Sequence, residues 1–329
     1  MNSFGRIFRI HIFGESHGKC VGVSIDGCPA GLQLTVDDFL PDLDRRKGGT
    51  KGTTPRKEDD IPHIKTGLFN GKTTGAPITI LFDNANTRSV DYEKQRDIPR
   101  PGHADFVAHA KAGGFEDYRG SGHFSGRLTV CLVAAAVIAK KLTPGISISS
   151  EILEIGGEKD IEAGLQKAIT AKDSVGGIIE CRVGGLPVGL GEPFFDSVES
   201  LISHAVFAIP AVRAIEFGTG SSAARMFGSE HNDAIIDTTG KTKTNHAGGV
   251  VGGLTNGNEL VYRIAIKPTS STPKDQQSLN WETNQVEHFS VKGRHDLCIA
   301  LRVPVILEAV TAIVLADLFM LEQKIRRVL

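Results

Sequence analysis

A chain of 329 residues is long enough for one large domain or two ordinary ones, and 40% hydrophobic with 23% charged residues excludes global disorder. Lys and Arg number 37 against 38 Asp and Glu, a net charge of -1, so no bulk attraction draws the chain to a polyanion such as DNA. Aromatic residues, at 6%, are few for stacking single-stranded nucleic acid, and any anion must be held by a local cluster.

In chain order, residues 4–13 (FGRIFRIHIF) carry strand-forming side chains and run into the loop GESHG, and residues 21–27 form a second strand. Thr35 is placed as an N-cap ahead of Asp37 and Asp38, and Val36, Phe39, Leu40 and Leu43 follow helical spacing. Pro41 opposes a helix through that point, which predicts a kink or a later start. Residues 76–82 are a strand, 83–103 a loop, and 125–142 a helix with a dense apolar face. Strands near 145–155 and 176–183 flank an amphipathic helix at 158–171. A helix at 197–208 leads through Pro210 into the strand AVRAIEF. Residues 259–267 form another strand, followed by a long polar segment to 288, and Pro304 opens the last helix. The stretch from Val303 to Leu321 is long enough to span a bilayer, but Glu308 and Asp317 interrupt it, which favours a core helix. No repeat, linker or composition break divides the chain, so one large α+β domain over residues 1–329 is expected.

Glycine is abundant, with 38 residues, and implies loops that bend tightly or approach a ligand. Five cysteines without a C-x-x-C pair make a disulfide framework or a structural zinc site improbable and fit a reducing compartment. With no apolar leader in the first residues, a cytoplasmic location without membrane attachment is expected. The histidines include no H-x-x-x-H pair, so no metal is expected. Two motifs mislead. Gly218 to Ala223 matches G-x-G-x-x-A, but Gly228 and a polar stretch follow where a dinucleotide loop needs a full helix. Gly71-Lys72-Thr73 resembles the end of a phosphate-binding loop, but the upstream glycine is one residue too close, and a tight turn is the better account.

The residues that can carry chemistry lie on loops. His17 ends a strand beside Ser16, and His103 follows the Pro101-Gly102 turn of RPGHAD, where Ala104 is expected to start a helix. Arg45, Arg46, Lys47 and Lys51 cluster after the first helix, and Arg127 follows GSGHFSG. Arginine grips phosphate or carboxylate in a bidentate manner, although cations at a helix end are as readily dipole complements. KPTSS (267–271) joins a cation to three hydroxyls, which suits a phosphate or the edge of a flavin ring, and GRHD (293–296) sets Arg294, His295 and Asp296 together.

Taken together, FGESHG (13–18), DLDRR (42–46), TTG-x-PI (73–78), RS-x-DY (88–92), RPGHAD (100–105), SEHND (229–233), NHAGG (245–249), KPTSS and KGRHD (292–296) resemble the chorismate synthase family over nearly the whole chain. The resemblance implies a β-α-β sandwich, a homotetramer, and the 1,4-anti elimination of phosphate from 5-enolpyruvylshikimate 3-phosphate, the last step of the shikimate pathway. It implies reduced FMN without net redox change, supplied by an external reductant, with NADPH as an indirect source.

By position, the resemblance makes His17 the proton donor to leaving phosphate and His103 the group that protonates reduced flavin. Ser16 and Ser125 are proton relays, and Asp296 lies near the flavin. Arg46, Lys51, Arg100 and Arg127 are the expected substrate ligands. His123, Phe124, Ser125, Pro210, Ala211, Gly252, Lys267, Pro268, Thr269, Ser270, Ser271 and Arg294 fall at flavin-contact positions. The family's usual GGGRSSARET reads GSGHFSGRLT here, so His123 and Phe124 stand where Arg and Ser are usual, and Leu128 where Glu is. That departure motivates a non-catalytic anion-binding relative as an alternative, and a flavin-dependent oxidoreductase, with the same cofactor but net electron transfer, is the other.

Overall fold

The computed structural model describes residues 1–55, 58–87, 96–291 and 295–324. A five-stranded antiparallel sheet has the order β1-β2-β3-β7-β4, with β1 Ser3–Phe4, β2 Arg9–Gly14, β3 Cys20–Asp26, β4 His63–Ile64 and β7 Ile78–Asp83. Leu68–Phe69 (β5) and Lys72–Thr73 (β6) form a hairpin at its side. The alternation read from sequence decides which face is buried: Val21, Val23 and Ile25 stand opposite Phe82, Ile80 and Ile78, and all six are fully buried. A second antiparallel sheet has the order β10-β13-β9-β8, with β8 Ser147–Ile155, β9 Gly177–Gly184, β10 Val212–Phe217 and β13 Leu260–Ile266. On its inner face Ile179, Cys181 and Val183 oppose Ile264, Tyr262 and Leu260. Hairpins β11–β12 (Val250–Val251, Leu254–Thr255) and β14–β15 (Gln276–Asn280, Gln285–Phe289) complete the strands.

Two long helices fill the space between the sheets, and shorter ones flank them. The helices are α1 Leu40–Arg46, α2 Asp105–Ala112, α3 Thr129–Leu142, α4 Ile161–Ala171, α5 Val198–Val206 and, after a single turn at Gly228–His231, α6 Pro304–Lys324, of which α3 and α6 are the long pair. α3 packs on β2 and β3 of the first sheet, α6 packs on β8 and β9 of the second, and the two helices pack on each other. The result is a mixed α+β sandwich with a helical filling, as the resemblance implied. Both Arg119–Leu142 and Pro304–Gln323 are long and apolar enough to cross a membrane, yet 78% of each apolar window is buried inside the fold.

The two acids of α6 are buried and answered. Glu308, 2% exposed, receives both ends of the Arg45 guanidinium at 2.7 Å and the Ser150 backbone N–H at 3.0 Å. Asp317 accepts from the backbone N–H groups of Arg6, Ile7 and Phe8 at 2.8, 2.7 and 2.9 Å. This last contact corrects the continuous strand expected over 4–13. The chain breaks after Phe4, turns through Gly5 at φ 92° and restarts at Arg9, because a carboxylate three hundred residues away collects the N–H groups a ladder would have used.

Other expectations hold with shifted ends. A 3-10 turn at Val36–Asp38 comes first and α1 starts later, at Leu40, so that Pro41 lies in its first turn, where no helical hydrogen bond needs its N–H. Gly71 follows Asn70 in a turn where both have positive φ, joining β5 to β6, so the phosphate-loop lookalike is a hairpin turn. Gly218 leads only into the 3-10 turn Gly220–Arg225, not the helix a dinucleotide loop needs. The polar segment before residue 288 contains the β14–β15 hairpin, which its run of Gln, Ser and Asn concealed.

Replacing Asp317 by alanine strands three N–H groups, one of them, at Phe8, buried and two partly buried. Unfolding in urea is expected to show a loss of about 2 to 4 kcal/mol, with the m-value unchanged; a loss below about 0.5 kcal/mol would show the turn to be satisfied without it.

Candidate active site

Between the sheets, at the end where α3 and α6 begin, lies a cavity of about 880 Å³. One side is apolar, built from Ile10, Ile12, Leu132, Val303, Ile306 and Val310 of the core elements. The other side is cationic. Arg46 is the last residue of α1 and Arg127 sits in the 3-10 turn Gly126–Leu128 that feeds α3. Both are buried, and both reach one carboxylate, Asp60, whose side chain is fully buried: Arg46 Nη2 donates to Oδ2 at 2.5 Å, and Arg127 Nη1 donates to Oδ1. Arg127 is further fixed by Asn84 Oδ1 at 2.9 Å and the Asp83 carbonyl at 3.0 Å. Arg302 donates to the Arg46 carbonyl at 3.0 Å and to Asp296 at 3.2 Å, and Asp296 also accepts the Thr54 N–H at 2.8 Å.

Three guanidiniums thus face two carboxylates in a desolvated wall. Burial pushes the Arg46 guanidinium down to about 10, Asp60 pulls it up, and Arg302 and Arg127 push it down again. Burial would raise the Asp60 carboxyl, but the charges of Arg46 and Arg127 carry it below its ordinary value. Arg46 Nε is buried with no hydrogen-bond partner among the described residues. Such a donor is expensive to leave unmade.

A second group forms around His103. Its Nδ1 lies 2.7 Å from Asp105 Oδ1, and its Nε2 lies 3.2 Å from Ser121 Oγ. Arg100 clamps the same carboxylate at 2.7 and 2.8 Å and also reaches Ser271 Oγ at 2.9 Å and Ser121 Oγ at 3.1 Å. The Asp105 carboxyl, which burial alone would raise, is held far below its usual range by hydrogen bonds from Arg100 and His103 and by their charges. An ionised Asp105 fixes which nitrogen of His103 carries the proton and turns the other toward Ser121 and the cavity. The KPTSS loop is latched to this group: Lys267 Nζ donates to Ser270 Oγ at 2.7 Å and to the Gly102 carbonyl at 3.1 Å. RPGHAD and KPTSS, 162 or more residues apart, are therefore one structural unit.

Most of the residues singled out from sequence come together. Arg46, Arg100, His103, His123, Phe124, Ser125, Arg127, Pro210, Ala211, Lys267, Thr269, Ser270, Ser271 and Asp296 all border the cavity. Ala211 does so in a left-handed conformation, φ 73°, unusual for a residue with a side chain. His123, standing where an arginine is usual, is engaged on both sides, by the Gly14 carbonyl at 2.8 Å and Asn2 Oδ1 at 3.1 Å. Ser16 and His17 are buried one residue behind the wall: a Cβ on Gly120, which lines the cavity, would lie 2.6 Å from His17 Nε2 and 3.0 Å from Ser16 Oγ.

Other expectations do not converge. Lys51 is exposed, outside the cavity and paired with Glu162, because its loop runs toward α4. Arg45 pairs with Glu308, and Lys47, which borders the cavity, pairs with Asp44, so of the basic cluster only Arg46 is buried in the cavity wall. Gly252 is at the exposed tip of the β11–β12 hairpin, and Pro268 is exposed and does not line the cavity. Arg100 does border the cavity, with donors engaged by Asp105, Ser121 and Ser271 as those of Arg127 are by Asn84, Asp60 and Asp83, so each offers the site its charge more than a free donor. Arg294 and the motif at 88–92 lie outside the described residues. Sequence reasoning missed Asp60 and Arg302, for which no motif spacing speaks, and gave no role to Asp105 and Ser121, which it had quoted inside RPGHAD and GSGHFSGRLT. Among the described residues no group of His, Cys, Asp or Glu is arranged to hold a metal ion.

Comparison with known proteins supplies names for this arrangement. The family model described as chorismate synthase matches residues 8–320. The chain is 71% identical to the chorismate synthase of Chitinophaga pinensis, covering 100% of this chain and 99% of that one. It is 46% identical to the chorismate synthase of a Dehalococcoides mccartyi strain, over 96% of each chain. A crystal structure of chorismate synthase superimposes with a TM-score of 0.72 at 25% identity, covering 98% of this chain and 93% of that one.

The Asp105 cluster makes a prediction in pH. A carboxyl whose folded pKa is depressed stabilises above its unfolded value, about 3.9, and loses that stabilisation as pH falls toward the folded one. Asp105→Asn is therefore expected to unfold at lower urea than the parent at pH 7, with the difference shrinking as pH is lowered from about 4 to about 2. A difference that stayed constant across that interval would show that Asp105 is not held ionised by Arg100 and His103.

Proposed function

Because this chain belongs to the chorismate synthase family, and is a phosphate-eliminating lyase of the shikimate pathway, we propose that it eliminates phosphate from 5-enolpyruvylshikimate 3-phosphate in the arginine-lined cavity. The observation that carries the assignment of the cavity is the cationic wall of Arg46, Arg127 and Arg302 with a buried donor, Arg46 Nε, left open. Three arginines against two carboxylates leave the wall cationic, which suits an anionic substrate with two carboxylates and a phosphate.

The family generally depends on reduced FMN. The cavity fits such a group: its volume lies toward the upper end of the roughly 300–1,000 Å³ of small-molecule sites, enough for a tricyclic ring beside a small acid. Thr269 Oγ1, on the loop latched to Gly102, is buried without a partner among the described residues. Lys267, Thr269, Ser270, Pro210 and Ala211 are the residues we assign to hold it. When bound, reduced flavin supplies electron density to the allylic system and assists removal of the C6 proton.

The chain's own residues do the rest. Arg46 and Arg127 neutralise the anionic substrate and draw off the charge that grows on the departing phosphate. His103, oriented by Asp105, holds a proton at the cavity edge. His17, separated from the cavity only by a glycine, is assigned the proton that the phosphate carries away, with Ser16 and Ser125 as relays. Asp296 is held by Arg302 and the Thr54 N–H, and we assign it to the flavin side. Among the remaining assignments, a homotetramer is supported by unpartnered apolar side chains such as Phe194, Phe195, Phe227 and Ile235. Five free cysteines support a cytoplasmic location with an external reductant.

Anaerobic mixing of protein, chemically reduced FMN and 5-enolpyruvylshikimate 3-phosphate is expected to release chorismate and phosphate in equal amounts with the flavin still reduced. With NAD(P)H added to the same mixture, its consumption in step with product would instead indicate an oxidoreductase. In the same assay His17→Ala is expected to lower kcat by about 10²- to 10⁴-fold, the range of a general acid, with flavin affinity within a few fold of the parent. Parental turnover in the variant would remove His17 from the mechanism.

A further inference from the structure

Arg46 and Arg127 belong to different elements, and neither element requires them to meet. They meet at Asp60. Its carboxylate is wholly buried and divided, one oxygen to each guanidinium. Its backbone is left-handed, φ 52°, a conformation that Asp and Asn adopt more readily than other residues with side chains. Arg127 is tied on two further sides to Asn84 and Asp83. Arg46 has only a long contact besides, from Nη1 to Thr129 Oγ1 at 3.4 Å, and its Nε is unpartnered. Without Asp60, two like charges would face each other in a wall from which water is excluded, and nothing would hold Arg46 in one orientation.

We propose that Asp60 is the positioning residue of this anion clamp: it lets Arg46 and Arg127 be buried side by side and aims the open edge of Arg46 at the phosphorylated substrate. The identity of that substrate rests on the functional reading above; the anion affinity does not. Asp60 also has the sign of the ligand, so it opposes anion binding and keeps the product phosphate from being held too tightly. Removing its charge separates the two effects. Anion affinity rises, while the geometry that makes bound substrate reactive is lost.

The test is Asp60→Asn, which keeps the size of the side chain and tolerates the backbone conformation. Thermal midpoints are measured against inorganic phosphate, and kcat and KM are measured with reduced FMN. The variant is expected to melt lower than the parent without phosphate, and to bind phosphate about tenfold more tightly, read as a larger midpoint gain at equal phosphate. Its kcat should fall by about 100-fold without a rise in KM. A lower midpoint with parental phosphate gain and parental kcat would mean that Asp60 serves the fold alone, and would overturn the proposal. If Asp60→Asn does not fold, the double variant with Arg46→Gln decides. Relieved of the uncompensated charge, it is expected to be more stable than Asp60→Asn while kcat stays low; equal or lower stability would overturn the proposal. Phosphate titration needs no turnover, so a parent that fails to eliminate phosphate would remove the functional reading and leave the clamp open to this test.

Discussion

A helix that is apolar on every side is stable in water only if it is covered on every side. α6 is such a helix, and its coverage organises this molecule. One flank goes to the inner face of the second sheet, and another to α3, which carries the first sheet on its far side. The two acids on α6 would be ruinous in this position if unpaired. Glu308 and Asp317 are instead the points at which outlying segments are fastened, Arg45 and Ser150 to the first, the turn at 6–8 to the second. The burial that excludes water from the core thus also strengthens the polar contacts that fix its boundaries.

This fastening reaches the cavity. Successive residues of a helix project about 100° apart, so tying Arg45 to Glu308 leaves the next side chain, Arg46, to point elsewhere, and it points into the cavity. The rotation of α1 is therefore indexed by a carboxylate on the core helix. A similar economy operates at the other end of the site. Arg100, taken from sequence as a substrate ligand, is committed to Asp105, Ser121 and Ser271. It joins three separate segments and sets the environment of His103. Arginine's five donors in a rigid plane suit it for this work as well as for binding anions.

The cavity combines a desolvated cationic wall with an apolar one, so charge on a ligand is felt strongly on one side and poorly solvated on the other. That is the environment in which a leaving phosphate is stabilised by fixed groups rather than by reorganising water. His123 illustrates how the departure from the usual loop sequence is absorbed. Its ring is engaged with the Gly14 carbonyl and Asn2, bracing the N-terminal strand against the loop that separates His17 from the cavity.

Most strands, the main helices and the family were legible in the sequence because each is written locally: alternation in 21–27, apolar density in 125–142, Pro304 at the first turn of the last helix, and whole motifs such as RPGHAD and KPTSS. Most of the site residues named from sequence do border the cavity, many of them as members of such motifs. What no local pattern contains is partnership. That Asp60 would bind Arg46 and Arg127, that Asp317 would break a strand at the opposite end of the chain, and that Lys51 would turn outward to Glu162 while Arg46, five residues earlier, turned inward, follow from which surfaces meet when two sheets close on two helices. A charge is written in the sequence, but its partner and its exposure are properties of the packed state. Sequence alone determined which side chains were available for the chemistry; the tertiary structure decided which of them face the ligand, because only burial fixes which donors are already taken.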